Sequence, residues 1–124
     1  RSNLDNLSEK QFQTLVVELA HRLGWIVAHF GTAYTPSGHA ITPTRYDADG
    51  FPDLVLTHPK RGTMFRELKS QRGIIRGSQQ HWIDTLRASG ANADIWRPKD
   101  IKRIIEKFPL SSFRKSNSFI IPFK

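Results

Sequence analysis

With 124 residues, 38% of them hydrophobic, and three tryptophans, the chain is the size of one globular domain with a modest core, and too apolar for a disordered segment. It contains no cysteine, no run of 18 apolar residues and no secretory signal pattern. This excludes disulfides, thiolate metal sites and a transmembrane helix, and fits a reducing, cytoplasmic setting. The net charge of +8 calls for a polyanionic partner, most simply nucleic acid, although ribosomal or anionic-membrane association would leave the same trace.

The chain opens on Arg1 rather than Met, as a trimmed product or a piece of a longer protein would. Ser8-Glu9-Lys10-Gln11 has the form of a capping box, with Ser8 as N-cap. Phe12, Leu15, Val16, Leu19 and Leu23 follow at helical spacing, and Gly24 closes the helix. Glu18 falls on the flank of that helix beside Gln11 and Arg22, where an acid is ordinarily solvated. Trp25–Phe30 reads as a strand, apolar on both faces and so expected at the centre of a sheet, with His29 either a site residue or, the preferred reading, a core histidine. Residues 31–49 lack periodicity and read as a long loop. His39, Arg45 and Tyr46 give that loop a basic and aromatic character suited to phosphate contact and base stacking, if it is not simply a surface loop.

Gly50-Phe51-Pro52-Asp53-Leu54-Val55-Leu56 and Phe65-Arg66-Glu67-Leu68-Lys69 then form two apolar strands around the turn His58–Gly62. A hairpin centred on Lys60 sets Asp53 opposite Glu67, with Cβ atoms about 5 Å apart. Lys69, two residues beyond Glu67, projects from the same face. Two acids and an amine around one point suit a divalent ion such as Mg²⁺, which takes one or two carboxylates and leaves room for phosphate oxygens. The plainer alternative is an Asp beside a turn and a Glu–Lys pair on a solvated sheet face.

A basic connection, Ser70–Gly77, leads to Gln79, Trp82, Ile83 and Leu86 on one helical stripe. Gln79 is therefore a polar residue facing inward, and it must bond either backbone at the start of the helix or a group in a site. Arg76 precedes it by three residues in an N-cap position, and Ser78 is the other candidate cap. Gly90 ends the helix, Ala93–Arg97 reads as a strand, and Pro98 opens a last helix with Ile101, Ile104, Ile105 and Phe108 on its apolar face. The domain is expected to occupy residues 1–108. Residues 109–124 form a tail that packs on the body, extends a sheet edge or mediates self-association. The order helix, strand, hairpin, helix, strand, helix predicts an α/β fold with a mixed central sheet flanked by helices.

Pro52-Asp53 followed by Glu67-Leu68-Lys69 resembles the PD-(D/E)XK nuclease signature. The fuller series is similar to the VRR-NUC family: Gly50-Phe51-Pro52-Asp53-Leu54-Val55-Leu56, Glu67-Leu68-Lys69-Ser70, Gln79, Trp82, Leu86, Gly90 and Trp96-Arg97-Pro98, within about Glu9–Ile105. The resemblance implies a restriction-endonuclease-like fold and a Mg²⁺- or Mn²⁺-dependent endodeoxyribonuclease. In it, Asp53, Glu67 and the carbonyl of Leu68 hold the metal, Lys69 activates water, and Gln79 supports a catalytic group or phosphate. It also implies a third acid from the first helix, for which Glu18 is the candidate. Lys60, Arg61, Arg72 and Arg76 would meet phosphates, although each taken singly reads as a solvated charge. The small phage and bacterial members suggest a homodimeric Holliday junction resolvase acting in DNA recombination and repair, in a bacterial cell or phage-infected host. The rival readings are a non-catalytic basic DNA-binding module and the nuclease module of a larger restriction or repair protein.

Overall fold

The computed structural model describes residues 3–31, 33–34, 36–41 and 46–108. The tail 109–124 and Arg45, both singled out above, lie outside the described residues.

Helix α1 (Glu9–Arg22) starts where the sequence places it. Ser8 Oγ accepts the Gln11 N–H at 3.0 Å, and Gln11 Oε1 accepts the Ser8 N–H at 2.9 Å. Leu23 is the C-cap, and Gly24 follows at φ +90°, the left-handed conformation that favours glycine. Phe12, Val16 and Ala20 are fully buried. A 14-residue helix is marginal alone, so this stripe, at roughly 1.5–3 kcal/mol for each large apolar side chain, holds α1 on the sheet.

Among the described residues the main sheet has four strands: β1 (Ile26–His29), β4 (Leu54–His58), β5 (Gly62–Leu68) and β6 (Asn92–Trp96), in the order β1-β4-β5-β6. The first two neighbouring pairs are antiparallel and β5·β6 is parallel, so the sheet is mixed. The hairpin register is the expected one. Leu54 pairs with Arg66, Leu56 with Met64 and His58 with Gly62, which leaves Pro59–Arg61 as the turn. Two short strands, β2 (Ala33–Tyr34) and β3 (Ala40–Ile41), form a separate hairpin inside the segment expected to be a loop.

Because side chains alternate along β4 and β5, Leu54, Leu56, Met64 and Leu68 share one face. They join Phe12, Val16 and Ala20 of α1, Trp25, Trp96, and Ile104 and Phe108 from α3 (Ile101–Lys107) and its end. On the other face, α2 (Gly77–Ala88) packs along β6, burying Ile83 and setting Trp82 edge-on to Phe51, which in turn meets Phe65. A single 3₁₀ turn, Pro98–Asp100, links β6 to α3, with Asp100 Oδ2 accepting the Arg97 N–H at 2.8 Å. The chain is thus α/β, with a mixed sheet between helices.

One expectation fails. The strand starting at Trp25 is not central: among the described residues β1 pairs only with β4 and forms the sheet edge, leaving Ile26 68% exposed. Its apolar sequence reflects one covered face and the α1 contact of Trp25 rather than burial on both sides. Among the described residues no helix is long and apolar enough to cross a membrane.

Candidate active site

Asp53 stands at the mouth of the β4–β5 hairpin, immediately before β4, and its backbone is fixed from two directions. Its carbonyl accepts the Phe30 N–H at 2.7 Å, and the preceding Pro52 is buried. Its Oδ2 accepts the Leu68 N–H at 2.9 Å, which ties the acid across the hairpin to the end of β5. Gly50 lets the chain reach that point. At φ +87° it lies against the first turn of α2, where a Cβ would come within 2.6 Å of the Ser78 carbonyl carbon. The Trp82 indole N–H donates to the Asp47 carbonyl at 2.9 Å and fastens the same loop further along α2.

Glu67 is 1% exposed, and its Oε1 has no hydrogen-bond partner. Its Oε2 lies 3.9 Å from Lys69 Nζ, itself almost fully covered. Burial and the neighbouring Asp53 carboxylate push the Glu67 pKa from 4.5 up to about 8, although Lys69 opposes the rise. Asp53 is raised as well, chiefly by burial, against the Leu68 N–H and the charges of His29 and Lys69. Both acids resist carrying their negative charges together in this enclosure.

That electrostatic frustration is what a cation relieves. An unpartnered carboxylate oxygen, two acids held on one side of a hairpin and a backbone carbonyl beside them form an oxygen donor set suited to Mg²⁺ or Mn²⁺. Leu68 could take part only through its backbone, because its side chain is fully buried in the core. Among the described residues no three His, Asp or Glu side chains close on one point as an all-protein metal cage. Two carboxylates with waters remain within what Mg²⁺ accepts.

Gln79 is buried in the first turn of α2, and its Oε1 accepts the Arg76 N–H at 2.9 Å. The backbone bond at the helix start is therefore made. Arg76, not Ser78, is the N-cap, and Gln79 supplies the cap that Arg76 cannot.

The structure does not bring Glu18 to the acids. It lies nine residues from Glu9, half a turn round a helix of 100° per residue, on the exposed side of α1. Glu9, exposed at the start of α1, is the acid of that helix with an electrostatic link to Asp53 and Lys69. It leads the buried stripe Phe12–Val16–Ala20, and its pKa is raised by partial burial and by Asp53 while Lys69 lowers it. Extending the stripe back by one turn from Phe12 would have found it. His29 is likewise not a core residue: it is exposed on the edge strand, and its charge reaches Asp53.

The basic residues divide. Arg72 and Arg76 lie on the connection that follows Lys69, both exposed, with Arg76 Nη1 3.7 Å from Asp49 Oδ1. Lys60 and Arg61 sit in the hairpin turn, about 20 Å along the strands from the acids at 3.3 Å per residue. The structure does not bring them to Asp53. His39 is exposed with its Nδ1 3.1 Å from Ser37 Oγ, and Tyr46 is almost wholly exposed at φ +55°.

A mixed sheet between helices, with paired acids and a lysine at the mouth of its central hairpin, is the arrangement of the restriction-endonuclease-like nucleases. Residues 43–100 match the family model of the VRR-NUC domain, in agreement with that arrangement. The matched segment contains Asp53, Glu67, Leu68, Lys69 and Gln79, whereas Glu9 and His29 precede it. Among curated proteins and solved structures, none matched the chain.

Proposed function

We propose that this chain is a Mg²⁺- or Mn²⁺-dependent endodeoxyribonuclease that cleaves branched DNA. The carrying observation is the half-buried Asp53 with the buried Glu67, which has one free oxygen and Lys69 at 3.9 Å from the other. Asp53, Glu67 and the Leu68 carbonyl would hold the ion, and Glu9 is the acid of α1 nearest in charge to the site. A bound divalent ion supplies Lewis-acid polarisation of the phosphate and a water of lowered pKa.

The chain's own groups do the rest. Lys69 orients the attacking water and offsets charge on the phosphoryl oxygens. Gln79 caps the first turn of α2 and so fixes the backbone of the exposed Arg76. The reaction is hydrolysis: water oxygen bonds to phosphorus, the bond to one sugar oxygen breaks, and that oxygen takes up a proton. The net charge of +8 supports DNA as the polyanion. A homodimer would match the two-fold symmetry of a four-way junction.

The test compares cleavage of a four-way junction, a linear duplex and single strands in Mg²⁺, Mn²⁺ and EDTA. Metal-dependent cutting that favours the junction is the expected result. Equal cutting of all three would overturn the structural selectivity. Salt-sensitive binding with no cutting in any metal would favour a non-catalytic basic module.

A further inference from the structure

The connection between Lys69 and α2 holds an isoleucine out in water. Ile74 is 78% exposed, and it stands between Arg72 and Arg76 in the run Arg72-Gly73-Ile74-Ile75-Arg76-Gly77. Single exposed apolar residues are common and mean little by themselves. This one is held in place at both ends of its loop. Arg97 Nη1 donates to the carbonyls of Ser70 at 2.8 Å and Gln71 at 3.2 Å, and the Lys99 N–H donates to Gln71 Oε1 at 3.0 Å. The Gly73 N–H closes a turn on the Ser70 carbonyl, and the Arg76 N–H is capped by Gln79.

Position matters as much as exposure. Five residues separate Ile74 from Lys69, so the two Cα atoms lie within about 17 Å even if the chain were fully extended. That is at most about five base steps at 3.4 Å each. The loop bearing the almost wholly exposed Tyr46 is tied to the same helix start by the Arg76–Asp49 ion pair, and further along α2 by the Trp82 indole N–H on the Asp47 carbonyl. Ile74 thus rises from a basic loop close to Lys69, and Tyr46 from the loop that the Arg76–Asp49 pair joins to it.

We propose that Ile74 is a wedge that enters a base step of bound DNA next to the scissile phosphate, while Tyr46 stacks on the base so exposed. Apolar side chains inserted between base steps unstack them and kink the duplex, with flanking cations holding the phosphates. This rests on the nuclease reading for its substrate but not on cleavage for its test.

The experiment uses a four-way junction and a linear duplex carrying 2-aminopurine at successive steps, bound by Lys69→Ala protein with and without Ile74→Ser or Ile74→Thr. A severalfold rise in 2-aminopurine fluorescence at one step with Ile74 in place, lost in both polar variants and kept by Ile74→Leu, is expected. In the Lys69 protein, the same polar variants should slow cutting about tenfold, the scale of one lost base contact. Exposure of Ile74 means that the variants should melt within about 2 °C of wild type. A fluorescence rise undiminished in the Ser and Thr variants overturns the wedge, however well the protein cuts. A rise that depends on Ile74 in a protein that never cuts upholds the wedge and defeats the nuclease reading. Failure to bind either DNA overturns both.

Discussion

Glu67 should make the metal-free protein less stable as the solution becomes more alkaline, the reverse of the usual contribution of a paired carboxylate. In the unfolded chain its pKa is near 4.5, whereas in the fold burial and Asp53 carry it to about 8. Between those values the folded state binds more protons than the unfolded one, so stability falls with rising pH and levels off above 8. At 1.36 kcal/mol per unit the whole window amounts to about 5 kcal/mol, a large share of the 5–15 kcal/mol that holds a typical domain together. Even half of it would lower Tm by about 10 °C in a domain of this size. Asp53 and Glu9 are shifted in the same sense. His58, whose pKa is lowered by burial and by Arg61 and Lys60, acts in the opposite sense below 6.5. The difference between wild type and Glu67→Gln therefore isolates the carboxylate. Thermal melts in EDTA from pH 5 to 8 should show Tm falling in wild type and much less in the variant, with Mg²⁺ or Mn²⁺ restoring the loss at pH 8. A wild-type slope no steeper than that of Glu67→Gln would refute the electrostatic picture of the site.

Other outcomes follow from particular residues. Glu9→Gln should weaken Mn²⁺ affinity or cutting about 10–100-fold, while Glu18→Gln on the far side of α1 should leave both unchanged; titration calorimetry with a cleavage assay separates them. Gly50→Ala must take a left-handed backbone and drive a Cβ into Ser78, so urea melts should show a loss of about 2–3 kcal/mol, with activity lowered because Asp53 follows three residues on. Ser8→Ala removes half of the α1 capping box and should cost about 1 kcal/mol in the same melts. Arg66 is buried with its guanidinium 4.7 Å over Trp96 and bonded to Asn92 and Phe65. Arg66→Ala should cost about 3 kcal/mol in those melts without changing the metal affinity of the opposite face.

The hairpin was legible because its signals are local. A turn centred on Lys60 fixes the register, and the two-residue side-chain period then sets Asp53, Glu67 and Lys69 on one face. The capping box of α1 was equally plain, since Ser8 and Gln11 bond within one turn. Tertiary context hid the rest. The central reading of β1 failed because an apolar run does not reveal whether one side lacks a partner, and His29 was misplaced with it. Glu18 stands on the helix flank beside Gln11 and Arg22, whereas the stripe that buries Phe12 and Val16 points back to Glu9. Arg66 gave no warning at all: its burial depends on Trp96 and Asn92, 30 and 26 residues away. The hairpin turn illustrates the remaining limit, because Lys60 and Arg61 are near Asp53 in sequence but a strand's length from it in space.

The most direct test is cleavage of a labelled four-way junction in Mg²⁺ or Mn²⁺ by wild type and by Lys69→Ala, with binding measured alongside. If the hairpin mouth is a nuclease centre, wild type cuts, EDTA abolishes cutting, and the variant binds DNA without cutting it. Cutting by Lys69→Ala at the wild-type rate, or binding by wild type with no cutting in either metal, would contradict that assignment.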